Sequence, residues 1–191
     1  MHGLINRSIQ CFVQDTYGAP AWRRVAEAAG VGPEGFEALL SYEDALTERV
    51  LDALQAYLDK PRDMVLEDLG TYLVSHPTRE GLRRLLRFGG ETFLEFLHSL
   101  DDLAGRARLA VPELDLPELT LVAHDGGRFT LVSAWHMPWA APLVMGVLRA
   151  MADDYGALVL LEPETGAPEH IMITLLDSRF AEGRAFALGR A

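Results

Sequence analysis

The sequence predicts an α+β fold: an N-terminal helical bundle followed by a small antiparallel four-stranded sheet with one inserted helix. Three observations predict it. From residue 1 to about 110, apolar side chains recur at three- and four-residue spacing, the period of helices that bury one face. After Val111 the apolar positions alternate, the period of half-buried strands. Turn residues fall where alternation breaks: Asp125-Gly126-Gly127 splits LTLVAHDGGRFTLVSAW into two runs, a strong hairpin signal.

The first helix carries Leu4, Ile5, Ile9, Phe12 and Val13 as one stripe and ends before Tyr17-Gly18. Pro20 can start the second, AWRRVAEAAG, which Gly30 stops. A third spans about 43–58 with Leu46, Val50, Leu51, Leu54 and Leu58 as its face and Ser41 as its cap. A fourth covers 63–75. Thr78 caps a fifth, TREGLRRLLRF, ended by Gly89-Gly90. The sixth and longest, FLEFLHSLDDLAGRAR, occupies 93–108. After the hairpin, a helix runs from near Pro138 to Gly156, and ALVLLEPETGAPEHIMITLLD supplies a second strand pair around a Pro/Gly turn.

The chain of 191 residues suits one domain with room for a core and an internal cavity. Its net charge of −11 disfavours nucleic acid and anionic membranes as partners. No apolar run reaches the roughly 18 residues of a membrane span, and no basic stretch precedes an apolar one, so a cytoplasmic protein is expected. Cys11 is the only cysteine, which rules out an intrachain disulfide and a cysteine-based zinc site.

Chemistry-bearing motifs are scarce. There is no glycine-rich phosphate loop, His-Glu-x-x-His, Gly-x-Ser-x-Gly or Cys-x-x-Cys. The six histidines (His2, His76, His98, His124, His136 and His170) include no pair at i, i+4 and read as isolated surface or half-buried side chains. The adjacent pairs Asp101-Asp102 and Asp153-Asp154 diverge by about 100° on a helix and cannot share a proton. Cys11 has no cationic neighbour in its helix to favour a thiolate. An enzyme is not expected, nor is a bound metal.

The start MHGLINRSIQCFVQDTYG, the run FLEFLHSLDDLAGRA, the hairpin after it and LVMGVLRAMADDYG together resemble the H-NOX family, the haem-nitric oxide/oxygen binding domains that include the sensor domain of soluble guanylate cyclase. The segment order agrees from Met1 to about Asp177. The resemblance implies one domain over residues 1–182, with a helical part at about 1–60, a pocket-forming part at about 61–182, and 183–191 as a tail or linker stub. It also implies an axial histidine three residues after the Asp of a Leu-Asp pair. Here that pair is Leu100-Asp101, and the position is Ala104. The family's Tyr-x-Ser-x-Arg, which holds the haem propionates, falls on Ser133, Trp135 and Met137 when counted back from Leu143-Val144-Met145-Gly146. A slip of one residue supplies no arginine either; Arg128 lies at the strand's far end. His98 points about 120° away from Ala104 on a helix, and His136 should face away from Trp135 on a strand. The expectation is therefore no cofactor: haem is not expected, and a bound fatty acid is the candidate instead.

Phe93, Leu97 and Leu100 lie within about 40° of Ala104 on a continuous helix, and the resemblance implies that this stripe faces the strand face of Phe129, Leu131, Ser133, Trp135 and Met137. Ile5, Ile9, Tyr72, Leu73, Val144 and Leu148 are the expected remaining walls. Two outcomes stay open. Trp135 and Met137 fill the space and the pocket collapses, or an apolar cavity survives and takes a fatty acid or similar lipid, with Ser133 or Tyr72 meeting its polar head. The corresponding functions are a sensory or regulatory ligand-binding domain that signals by conformational shift to a partner or tethered output domain, and a ligand-free interaction module. A haem gas sensor with an unusual ligand is a third reading.

Overall fold

The structure is a computed structural model that describes residues 1–186. The expected α+β architecture is observed: helices first, then a four-stranded antiparallel sheet in the order β1-β2-β4-β3. Helix α1 spans Gly3–Tyr17 and α2 spans Ala19–Ala29. Between them Gly18 takes φ +88°, and Gly30 closes α2 at φ +70°, a region that glycine enters without steric cost. Helix α3 (Asp44–Leu58) begins after Glu43. The expected cap, Ser41, is instead bridged to His2, whose Nδ1 accepts from the Leu4 amide at the start of α1. Helix α4 is Arg62–Ser75. Thr78 does not cap α5: it lies inside a 3₁₀ turn, Pro77–Arg79, started by Pro77, and α5 follows as Glu80–Arg87.

The long helix expected over 93–108 is two helices. Helix α6 (Phe93–His98) starts with a reciprocal capping box between Thr92 and Glu95. A 3₁₀ turn, Leu100–Asp102, then leads into α7, Leu103–Ala110. One local and one distant hydrogen bond accompany the break. Ser99 Oγ donates to the Phe96 carbonyl at 2.8 Å, and Asp101 Oδ1 accepts from the Leu121 amide at 2.9 Å, so short polar side chains compete with the helical ladder. Phe93, Leu97, Leu100 and Ala104 thus do not form one straight stripe.

Strands β1 (Glu118–His124) and β2 (Arg128–Ala134) form the expected hairpin. Helix α8 (Ala140–Tyr155) follows, starting two residues later than Pro138, and β3 (Leu158–Glu164) pairs with β4 (Ala167–Asp177). Because β2 ends at Ala134, Trp135 and Met137 leave the strand face on which alternation placed them.

Two apolar clusters make the core. One joins α6 and α8 to the sheet and includes Phe93, Phe96, Leu131, Leu148 and Ile171. The other joins α1 to α4 around Ile9, Phe12, Trp22, Leu54 and Leu66, and receives Met137 and Trp139 from the segment before α8. Helices α4 and α8 meet backbone on backbone: a methyl group added at Gly70 would meet the Leu143 carbonyl oxygen at 2.2 Å, and one at Gly146 the Glu67 carbonyl oxygen at 2.1 Å. After β4 the chain folds back onto the end of α8, with the Ala181 amide donating to Gly156 and the Arg184 amide to Asp154. The wholly buried Asp154 carboxylate accepts from Arg83 Nε at 2.8 Å, with Arg87 and Arg184 at 3.7 and 3.8 Å. Of the expected tail, 183–186 belong to this return and 187–191 lie outside the described residues. Among the described residues no helix is long and apolar enough to cross a membrane.

Candidate functional site

A cavity of about 250 Å³ lies between the two clusters. Helical spacing brings its walls together: Ile5 and Ile9 sit one turn apart on α1, Leu69 and Leu73 on α4, and Leu82 and Leu85 on α5. Ala107 of α7 and Leu143 of α8 close the sides, while Leu114, Leu116 and Pro117 cover it from the segment between α7 and β1. Leu4 and Ser8 complete the α1 wall, and Trp135 and Trp139 close the end. The Ser8 hydroxyl donates to the Leu4 carbonyl within its own helix. Polar demand inside the cavity is thus met by its own walls.

The two indoles form an edge-to-face pair with centroids 5.0 Å apart, a favoured geometry. Both N–H groups are bonded to carboxylates. Trp135 Nε1 donates to Asp115 Oδ2 at 2.9 Å, and Trp139 Nε1 to Glu48 Oε1 at 2.7 Å. Glu48 is itself paired with Arg62. His136 lies between Asp115 and Asp44, 3.2 Å from each. The Asp44 carboxyl is held below its usual range by a hydrogen bond from the amino terminus, with His136 adding to the effect.

Of the side chains expected to line a pocket, Ile5, Ile9, Leu73 and Trp135 stand on this cavity. Phe93, Leu97, Leu100, Leu131, Val144 and Leu148 are packed into the sheet-side core instead. Ala104 is buried on α7, and Ala107 rather than Ala104 reaches the cavity. Tyr72 belongs to the helical core, and its hydroxyl donates to Asp15. Ser133 and Met137 line a second cavity of about 350 Å³ together with Trp135, Ala140, Pro168 and Glu169. Ser133 is 3% exposed, and its Oγ has no hydrogen-bond partner among the described residues.

The sequence reading missed Leu4, Ser8, Leu69, Leu82, Leu85, Ala107, Trp139 and Leu143, and the covering residues Leu114, Leu116 and Pro117. Helical spacing from Ile5, Ile9 and Leu73 could have found Leu4, Ser8 and Leu69. The covering segment has no period, so nothing in VPELDLP marked it.

The sequence model of the family described as Haem-NO-binding matches residues 2–162. Soluble guanylate cyclase 89Da of Drosophila melanogaster is 27% identical over 158 residues, covering 83% of this chain and 24% of the relative. Soluble guanylate cyclase gcy-34 of Caenorhabditis elegans is 30% identical over 156 residues, covering 80% of this chain and 23% of the relative. The chain thus spans about a quarter of the length of these relatives. Among solved structures, a triple mutant of an H-NOX protein from S. oneidensis in the Fe(II) ligation state superposes with a TM-score of 0.79 at 16% identity, covering 94% of this chain and 98% of that one. The Fe(II) unliganded H-NOX protein from K. algicida gives 0.74 at 16% identity, covering 98% and 100%. At those identities the structures establish the fold.

These matches overturn the expectation of no cofactor, because the family is a haem-binding one. Holding haem requires an axial donor and cations for its propionates. Among the described residues no histidine, cysteine, methionine, tyrosine or arginine lines the cavity. His2 caps α1, His76 meets Thr78, His98 lies against Phe129, His124 meets Thr130, His136 bridges Asp44 and Asp115, and His170 meets Glu164. The side chains present therefore do not fit a haem held by an axial ligand at this cavity. Among the described residues no group of three or more His, Cys, Asp or Glu is placed to hold a metal ion.

Proposed function

This chain belongs to the Haem-NO-binding family, a sensor domain of the soluble guanylate cyclase type, and on that premise we propose that its sensing site is the apolar cavity and that its ligand is a long-chain lipid, a fatty acid being the first to test. The observation that carries this reading is the lining. Every wall is hydrocarbon except Ser8, satisfied within α1, and two indoles whose N–H groups are bonded outside. Such a space favours an alkyl chain, since each buried methylene contributes about 0.8 kcal/mol and asks for no polar partner. Residues that touch the cavity sit on α1, α4, α5, α7 and α8, so occupancy biases how the helical half packs against the sheet half, and a signalling partner or tethered output domain reads the shift. The domain itself is read as a sensor and not a catalyst; the activity of a longer protein like its relatives would lie outside the cavity.

The test is what leaves the protein on denaturation. Mass spectrometry of an organic extract should show a co-purified lipid, added palmitate should raise the melting temperature of the delipidated protein, and Leu73→Phe, which narrows the cavity, should weaken that stabilisation. A Soret band with stoichiometric haem and no lipid in the extract would overturn the reading. So would the absence of both an extractable ligand and any stabilisation, which points to a closed interaction module.

A further inference from the structure

A cavity of about 250 Å³ sets a limit on what it can hold. An apolar cavity of about 150 Å³ takes benzene, a ring of six carbons. At the same packing, 250 Å³ takes roughly ten carbons. Palmitate is longer than that and cannot lie wholly inside.

The walls that set this volume are braced. Leu69 and Leu143 stand on α4 and α8, whose backbones touch: a methyl group added at Gly70 would lie 2.2 Å from the Leu143 carbonyl oxygen. At the tryptophan end, Trp139 is tied to Glu48 and through it to Arg62, and Trp135 is tied to Asp115. A close-packed interior answers added volume with strain rather than by swelling, so the limit is a fixed one.

The same walls choose which end of a chain goes in. Apart from the two indoles, Ser8 is the one polar residue lining the cavity, and its hydroxyl already donates to the Leu4 carbonyl. Both indole N–H groups are bonded to carboxylates. A ligand hydroxyl or carboxylate placed inside would lose its water and find no free donor in this lining, which weakens binding roughly tenfold or more. A terminal methyl group loses nothing there.

Building on the lipid reading, we propose that the cavity is a length gauge: it takes about ten carbons of an alkyl chain, methyl end first, and leaves the head group outside. The ligand class is therefore a medium-chain amphiphile of about eight to ten carbons, and longer chains are held by their terminal carbons alone.

The probes are the straight-chain alkanoates from hexanoate to palmitate, titrated calorimetrically into the delipidated protein below their micelle concentrations. Each added methylene should tighten binding roughly fourfold up to about decanoate, and by no more than about twofold beyond it. 10-Hydroxydecanoate, polar at both ends, should bind roughly tenfold more weakly than decanoate. Leu85→Ala removes wall and should move the break toward longer chains, by up to about three carbons; Ala107→Leu adds wall and should move it toward shorter ones. Should either variant fail to fold, the wild-type series alone decides the gauge. A fourfold gain that continues unbroken to palmitate, or a break that neither folded variant moves, would overturn the gauge while leaving the lipid reading intact. 10-Hydroxydecanoate binding as tightly as decanoate would overturn the methyl-first orientation. Failure of every alkanoate to bind the wild type would remove the lipid reading itself.

Discussion

Replacing Gly146 by alanine should destabilise the protein although alanine is the better helix former. A Cβ at this position would lie 2.1 Å from the Glu67 carbonyl oxygen and 2.8 Å from its carbonyl carbon. An unstrained carbon–oxygen contact needs about 3.3 Å, so α4 and α8 must part by roughly an ångström. The obstacle is helix backbone and cannot rotate away, which puts the cost near the top of the ~1–3 kcal/mol range for overpacking. Alanine returns about 1 kcal/mol of intrinsic helix preference. The net is a loss of about 2 kcal/mol, which for a domain of this size lowers the melting temperature by roughly 4–8 °C. Leu69, Leu73 and Leu143 ride on the separating helices, so the cavity should change with them. Urea denaturation at fixed pH is the assay, with the slope checked for constancy so that the midpoint reports stability. An unchanged or raised midpoint would refute the reasoning, because it would mean that the two helices do not meet at their glycines.

Asp154→Ala should cost about 3 kcal/mol, since it leaves the nearly buried Arg83 guanidinium without its carboxylate; Arg184→Ala, whose side chain is half exposed, should cost less than about 1 kcal/mol, and equal losses would show that Asp154 matters only through the returning chain. Asp44→Asn should flatten the acid limb of the stability profile. The folded Asp44 carboxyl is held below its ordinary value, so its contribution is present above that value and lost as pH falls through the folded pKa. Wild type and variant should differ at neutral pH and converge in strong acid; a constant gap would exclude that origin.

Much of the fold was legible because its determinants are local. The stripe of α1, the glycine closing α2 and the Asp-Gly-Gly turn each fix an element within a few residues, and the family resemblance placed them in order. The site was less legible because its determinants are distant. Nothing near Asp101 indicates that its carboxylate will accept the Leu121 amide and help break the long helix, yet that break directs Phe93, Leu97 and Leu100 to the sheet-side core and brings Ala107 to the cavity. Alternation likewise carried Trp135 and Met137 past the true end of β2 at Ala134. The cavity's cover, Leu114 to Pro117, has no period to detect. On the cofactor, Ala104, Ser133, Trp135 and Met137 carry none of the family's haem-holding side chains, whereas family membership itself shows only over the whole span of residues 2–162.

The chain has three tryptophans, and two of them, Trp135 and Trp139, stand edge to face at 5.0 Å and 83° on the wall of the cavity. The third, Trp22, is buried among the N-terminal helices. Two indoles so close and nearly perpendicular are a coupled chromophore pair, and the coupling depends on their distance and mutual tilt. The protein therefore carries its own optical reporter: rotation of one ring would change the circular dichroism of the pair and the quenching of its emission, while Trp22 supplies a constant background. Events at this end of the cavity can be followed by light without attaching any label.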